Sequence, residues 1–271
     1  MDVFSLLALC VLGGSVVGLL NGMLGVGGAF ITIPLLDEVL IRMGMDAAVS
    51  HVMAVGTSPS TILFTCVSGF LAYRKHGSLR FDILRRMAPG IFIGAVVGAL
   101  LAPYAPTAFL KLLFYAIIIV VCGQITFPLK RFEREKEDLR SLGPIAVFFG
   151  IIASMSGVAG TLLNVTYLNW RGVPWAQAVG TGVGIGLIIS TTSTVGYIIS
   201  GWNVPDLPAW SLGYVYLPGT LCLIVPSMIM AKAGAWLIHW KRFPVAAMKR
   251  VVCAMLTVYA VVMVARICLG M

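Results

Sequence analysis

Two stretches of the chain place glycine beside hydroxyl and amide groups where no charged residue is present. The first, GLLNGMLGVGGAF (Gly18–Phe30), holds Asn21, Gly25, Gly27 and Gly28; the second, GIIASMSGVAGTLLN (Gly150–Asn164), holds Ser154, Ser156, Gly157, Gly160, Thr161 and Asn164. Glycine takes a positive φ at no steric cost and lets a ligand approach the backbone closely, so each stretch reads as a helix break. A helix that starts just beyond a break aims unsatisfied N–H groups and the positive end of its dipole at it. The chemistry this allows is binding of a small anion by backbone N–H groups and hydroxyls. Thr57, Ser58 and Thr181, in segments that follow the two breaks, add further hydroxyls.

Some of these residues have a plainer use. Gly14, Gly18 and Gly22, four apart, suit a helix-packing face. Asn21 and Asn164 suit interhelical hydrogen bonds, and the run Ser190–Thr194 suits bonding back to its own helix. His51 falls in the first turn of its segment, where it serves as an interfacial hydrogen-bonder or as a proton relay. Arg42 and Arg171 follow the short segments after the breaks, placed to steer an anion or to anchor a helix end at the interface.

The elements that must position these groups are membrane helices. Of 271 residues 59% are hydrophobic and 11% charged, and charge-free runs of ~20 residues are long enough to cross a bilayer. The net charge of +9 would suit nucleic acid, but the basic residues sit at the ends of apolar runs and report topology instead. Five lie in each of Arg74–Arg86, Lys130–Arg140 and Lys232–Arg250. This predicts that loops 74–86, 130–140 and 232–250 are cytoplasmic, as is Arg171, with Arg42, Lys111 and Arg266 outside. The six cysteines lack CxxC or zinc-like spacing and read as small buried residues. No metal or cofactor is expected.

The chain also repeats itself. AVGT occurs at Ala54–Thr57 and Ala178–Thr181, the same offset carries Tyr73 onto Tyr197, and the glycine stretches align as Gly18/Gly150, Gly25/Gly157, Val26/Val158 and Gly28/Gly160. The two copies of the AVGT segment must run in opposite directions through the membrane. The expectation is an all-α polytopic membrane protein of two inverted-topology repeats, each a re-entrant or broken glycine-rich hairpin followed by three transmembrane helices. The halves are 1–129 and 143–271, joined by a charged cytoplasmic linker, 130–142.

The blocks GVGGAFITIPLL (Gly25–Leu36), AVGTS (Ala54–Ser58) and YRKHG (Tyr73–Gly77), with their second copies, resemble the TauE/SafE sulfite exporter family over essentially the whole chain. The resemblance implies a secondary transporter of small sulfur-containing anions, such as sulfite or organosulfonates, in a prokaryotic cytoplasmic membrane. It places the paired glycine turns on Gly25, Gly27, Gly28, Gly157 and Gly160, and the Thr-Ser position on Thr57 and Ser58. The second copy departs at Ala159, Thr166 and Gly182, and Ala29 replaces a glycine in the first. The partners implied are a small anion and membrane lipid, not nucleic acid, and a homodimer is compatible with this reading. A passive anion channel on the same repeat is the alternative. An enzyme is disfavoured, because HExxH, a membrane Ser/His/Asp set and paired intramembrane carboxylates are missing.

Overall fold

The computed structural model describes residues 11–19, 28–75, 77–126, 142–205, 207–239 and 245–268. These form ten α-helices: α1 (11–19), α2 (Ala29–Arg42), α3 (Ala47–Lys75), α4 (Phe81–Leu101), α5 (Thr107–Thr126), α6 (Leu142–Met155), α7 (Thr161–Trp170), α8 (Trp175–Ser200), α9 (Leu217–His239) and α10 (Val245–Cys268). A two-stranded antiparallel hairpin, β1 (Ser211–Leu212) with β2 (Val215–Tyr216), connects α8 to α9. The protein is all-α, and α3, α4 (with the 3₁₀ turn to Tyr104) and α8 are long and apolar enough to cross a membrane. Apolar stretches of 10 to 17 residues lie in α5, α6, α9 and α10.

Sequence sets the helix ends. Pro174 begins α8 from an extended conformation, and Arg74 and Lys75 close α3 where cations offset the carbonyl end of the dipole. The helices after the two glycine stretches are short, 14 residues in α2 and 10 in α7, or about 21 and 15 Å at 1.5 Å per residue. Neither is long enough to span a ~30 Å hydrocarbon core.

Two apolar cores hold the bundle. One gathers Phe30, Ile33 and Leu36 of α2, Met53 and Ile62 of α3 and Phe114 and Ile118 of α5; the other gathers Ile83 and Ile91 of α4, Leu168 of α7 and Ile185 and Ile189 of α8. Outside them, Leu221, Val225, Met228 and Ile229 of α9 and Phe92 and Ile93 of α4 are exposed, a surface suited to lipid rather than water. Cys66, Cys122 and Cys253 are buried, Cys222 is half-buried, and none of the four forms a disulfide.

Glycines set how closely the helices approach. Gly14 and Gly18 of α1 lie against α9, where a Cβ on Gly14 would come 2.9 Å from Pro226 and one on Gly18 would strike Ser227 O. Gly90, Gly94 and Gly98 of α4 face α6 in the same way, and a Cβ on Gly150 would come 2.6 Å from Ile91 O. These are packing glycines, as the four-residue spacing of Gly14 and Gly18 predicts. The hydroxyl run also behaves as expected: Ser190, Thr191 and Thr194 bond to carbonyls three or four residues back on α8.

Candidate functional site

The first glycine stretch is described only from Gly28 onward; Asn21, Gly25 and Gly27 lie outside the described residues. Gly28 precedes α2 with φ −67°, so positive φ is not what calls for glycine here. Close packing is: a Cβ would strike Val17 of α1. Gly28 and Thr32 line a small cavity with Val17 of α1, Thr61, Ile62 and Thr65 of α3, and Leu223 and Ser227 of α9. The cavity lies on the seam between residues of the first half and α9 of the second. Thr32 in the first turn of α2 and Thr61, Thr65 and Ser227 around it bring four hydroxyls to the cavity, and among the described residues no charged side chain lines it.

Four of these residues went unnoticed in the sequence. Thr57, Thr61 and Thr65 stand four apart on one face of α3, and that stripe was a usable signal. Ser227 has no comparable signature, because it reaches the cavity only through the packing of α1 on α9. The hydroxyl protons of Thr61, Thr65 and Ser227 go to carbonyls of their own helices, Ser58 O at 2.8 Å, Ile62 O at 2.8 Å and Ile224 O at 2.9 Å. They can turn outward toward a ligand at the cost of those local bonds.

The second glycine turn is packed shut. Gly157 (φ +66°) and Gly160 (φ +63°) both adopt the left-handed conformation that the sequence requires of them. A Cβ on Gly157 would come 2.7 Å from Val55 O of α3. Pro59 has no N–H to give that carbonyl, so irregular backbone of α3 meets the glycine turn at buried depth. Backbone of this kind is tolerated inside a membrane where it is enclosed by protein. Thr161 is half-buried, and its hydroxyl oxygen would lie against a Cβ placed on Gly186 of α8.

Several predicted hydroxyls are held by protein partners. Ser154 Oγ donates to Ala95 O at 2.9 Å or exchanges a bond with Ser193 Oγ at 2.8 Å, while Ser156 Oγ donates to Ala153 O at 3.1 Å. Asn164 Nδ2 donates to Gly160 O at 2.8 Å. Asn164 Oδ1 and Ser58 Oγ are buried and have no hydrogen-bond partner among the described residues.

Thr57 and Thr181, at the same place in the two AVGT blocks, do matching work. Thr57 Oγ1 accepts from the Tyr216 N–H at 3.0 Å, just before α9; Thr181 Oγ1 accepts from the Arg80 N–H at 3.1 Å, just before α4. The glycines beside them match too. A Cβ on Gly56 would lie 3.0 Å from both the Tyr197 ring and Tyr214 O, and one on Gly180 would lie 3.4 Å from Tyr73 Cβ and 2.5 Å from Ser78 O. The Tyr214 N–H donates to Tyr197 O and the Ser78 N–H to Tyr73 O, both at 3.1 Å. Gly18 meets α9 at Ser227 as Gly150 meets α4 at Ile91.

The three residues assigned to steering or coupling separate. Arg42 is exposed and pairs with Glu38 one turn back, and Arg171 lies over the Tyr167 ring, 5.7 Å from its centre. His51 is buried, with Nδ1 3.1 Å from Asp37 Oδ2. Asp37 Oδ1 accepts from Ser50 Oγ at 2.5 Å, and Lys111 Nζ of α5 stands 3.5 Å from Oδ2. Burial raises the Asp37 pKa, but hydrogen bonds from His51 and Ser50 and the charges of His51 and Lys111 outweigh it and hold the carboxyl below its ordinary value of 3.8. Asp37 is therefore the carboxylate at the centre of a buried cluster, although its place near the end of a short segment reads in the sequence as interfacial. Among the described residues, no three His, Cys, Asp or Glu side chains gather as a metal site.

Known proteins similar to this chain are named as probable membrane transporters. The chain is 26% identical over 234 residues to a Haemophilus influenzae protein named "Probable membrane transporter protein", covering 86% of this chain and 89% of that one. A Methanocaldococcus jannaschii protein of the same description is 25% identical over 244 residues, 84% and 85% of the two chains, and a Bacillus subtilis one is 25% identical over 195 residues, 68% and 76%. No solved structure matches. The family described as "Sulfite exporter TauE/SafE" matches residues 10–263. With that match running through both glycine stretches and both AVGT blocks, the chain belongs to the TauE/SafE sulfite exporter family of membrane transporters.

Proposed function

We propose that the protein is a secondary transporter that exports small sulfur-containing anions, sulfite or organosulfonates, across a prokaryotic cytoplasmic membrane by alternating access of two inverted halves. The observation that carries this reading is the hydroxyl-lined cavity at the N-terminus of α2, on the seam where α9 of the second half meets α1–α3 of the first. A seam between halves is the surface that must open and close in alternating access. The inverted relation is supported by the exchange-related contacts: Thr57 with Tyr216 against Thr181 with Arg80, and Gly18 with Ser227 against Gly150 with Ile91. Each half thus clamps the loop or helix of the other in the same way. On this reading α2 and α7 are the return arms of re-entrant hairpins, and the basic loops face the cytoplasm.

The cavity in this arrangement has room for about one water, so an oxyanion enters as the seam opens, where it would meet the α2 N-terminal N–H groups and the hydroxyls of Thr32, Thr61, Thr65 and Ser227. Gly25, Gly27 and Asn21 precede that N-terminus in the chain and are assigned to the same site; Gly157–Asn164, packed against α3 and α8 and outside the cavity lining here, are assigned to it in the other arrangement of the halves. Uptake of labelled sulfite into proteoliposomes tests this directly. Thr61→Val and Ser227→Ala, each removing one hydroxyl, are expected to raise the half-saturating sulfite concentration roughly five- to tenfold, as for a lost hydrogen bond of about 1–1.5 kcal/mol. Unchanged saturation in both variants would remove the cavity from the transport path.

A further inference from the structure

The cluster around Asp37 is used neither by the packing scheme nor by the anion cavity. It joins three helices: Asp37 on α2, Ser50 and His51 on α3, and Lys111 on α5. The His51 side chain is 3% exposed and that of Asp37 14%. An ionised carboxylate only accepts hydrogen bonds, so Nδ1 carries a proton and donates it to Asp37 Oδ2 whether the ring is neutral or charged, and in the neutral ring the second nitrogen carries none. Nε2 is then left with a bare lone pair, and it has no partner among the described residues.

We propose that His51 and Asp37 form the proton site that couples transport, loaded at Nε2 of His51 from the face that the proposed orientation turns outward. This rests on the transporter reading and names its coupling ion. One proton from solvent adds to the Nε2 lone pair, giving an imidazolium whose charge is balanced by Asp37; the same N–H bond breaks when the halves have rocked and the proton passes to water on the opposite face, so one proton crosses per cycle. The new Nε2–H finds no acceptor in the present packing, and a buried unpaired donor is costly. The loaded state therefore favours a different seating of α2 on α3, and the other end of α2 lines the anion cavity. Two protonation states thus bias two arrangements of the helix that carries the site.

Other groups near the cluster are accounted for. Lys111 faces the same carboxylate oxygen from α5; Tyr115 of α5 lies edge-on to Tyr259 of α10, 5.9 Å between ring centres. On α2 itself, Glu38 and Arg42 are exposed and paired with each other. The second half has no counterpart. Aligned through the glycine stretch, Asp37 falls on Asn169; aligned through AVGT, Ser50 and His51 fall on Pro174 and Trp175. A fold built from repeated halves does not need this acid–base pair, so its place in one half alone points to a task beyond holding the repeat together.

The test reads the proton and the anion separately. The chain has three histidines, His51, His76 and His239, so a variant with His76→Gln and His239→Gln leaves His51 as the single imidazole for nitrogen NMR. Its nitrogen signals are expected to show both the neutral and the imidazolium form as pH is varied, and Asp37→Asn is expected to change the balance between them. In proteoliposomes, His51→Gln and Asp37→Asn are expected to lose at least tenfold of the sulfite accumulation driven by an imposed pH gradient. A His51 signal that never titrates, or gradient-driven accumulation in His51→Gln equal to that of the native chain, overturns the proposal. Saturable sulfite flux in the native chain that ignores the gradient overturns it too and leaves the transporter reading intact. No sulfur-anion flux, with His51 titrating and responding to Asp37→Asn, supports the proton site and rejects the substrate.

Discussion

At the scale of single residues, the structure separates glycines that share a composition but not a job. Gly157 is left-handed and pressed on Val55 O, whereas Gly172, also left-handed (φ +92°), has nothing within 4 Å of where a Cβ would stand. Gly172→Ala should therefore cost only backbone strain, about 1–2 kcal/mol. Gly157→Ala adds a collision that neither chain can relieve by turning a side chain, so its loss of thermal stability in detergent should be clearly larger; equal melting points for the two would contradict the packing described. The Gly157 turn was legible because a glycine doubled within four residues, at the head of a short segment, has few other uses. Asp37 was not. Its sequence position is one turn from a helix end, and only the return of α3 beside α2 brings His51 and Ser50 to it.

At the scale of elements, two buried threonines carry the joints between the halves. Thr57→Val or Thr181→Val would remove the hydroxyl that accepts from the Tyr216 or the Arg80 N–H, at about 0.5–1.5 kcal/mol each. The two losses, read by thermal melting, should be of similar size because the two bonds have the same donor type and acceptor type and nearly the same length; a neutral result at either site would break that equivalence. By contrast, Gly123→Ala in α5 meets open space and should be neutral or raise stability by up to about 1 kcal/mol through helix propensity. The helices were readable from charge-free runs, prolines and basic ends, but not all their limits: α4, α9 and α10 carry helix into the basic stretches 81–86, 232–239 and 245–250, which read as loops in the sequence. Which helix meets which was not readable: α1 packs on α9 and α6 on α4, pairings between halves that neither periodicity nor charge encodes. Thr57 and Thr181 read as ligand hydroxyls for the same reason, since the loops that occupy them are remote in the chain.

At the scale of the whole molecule, one hydroxyl-lined cavity lies at the head of α2, the opposing glycine turn is packed shut, and a titratable cluster sits at the far end of the same helix. The sequence repeat does not announce this asymmetry, which falls where the copies diverge: Pro59 against Val183, Asp37 against Asn169, His51 against Trp175. A seam that carries a sulfur oxyanion must saturate. The measurement to make is the initial rate of labelled sulfite uptake into proteoliposomes holding the purified protein, over a wide range of concentration and with sulfoacetate, thiosulfate and sulfate as competitors. The rate is expected to level off and to fall when the other sulfur oxyanions are added; a rate that rises linearly and is indifferent to every competitor would mean that no sulfur oxyanion is bound there.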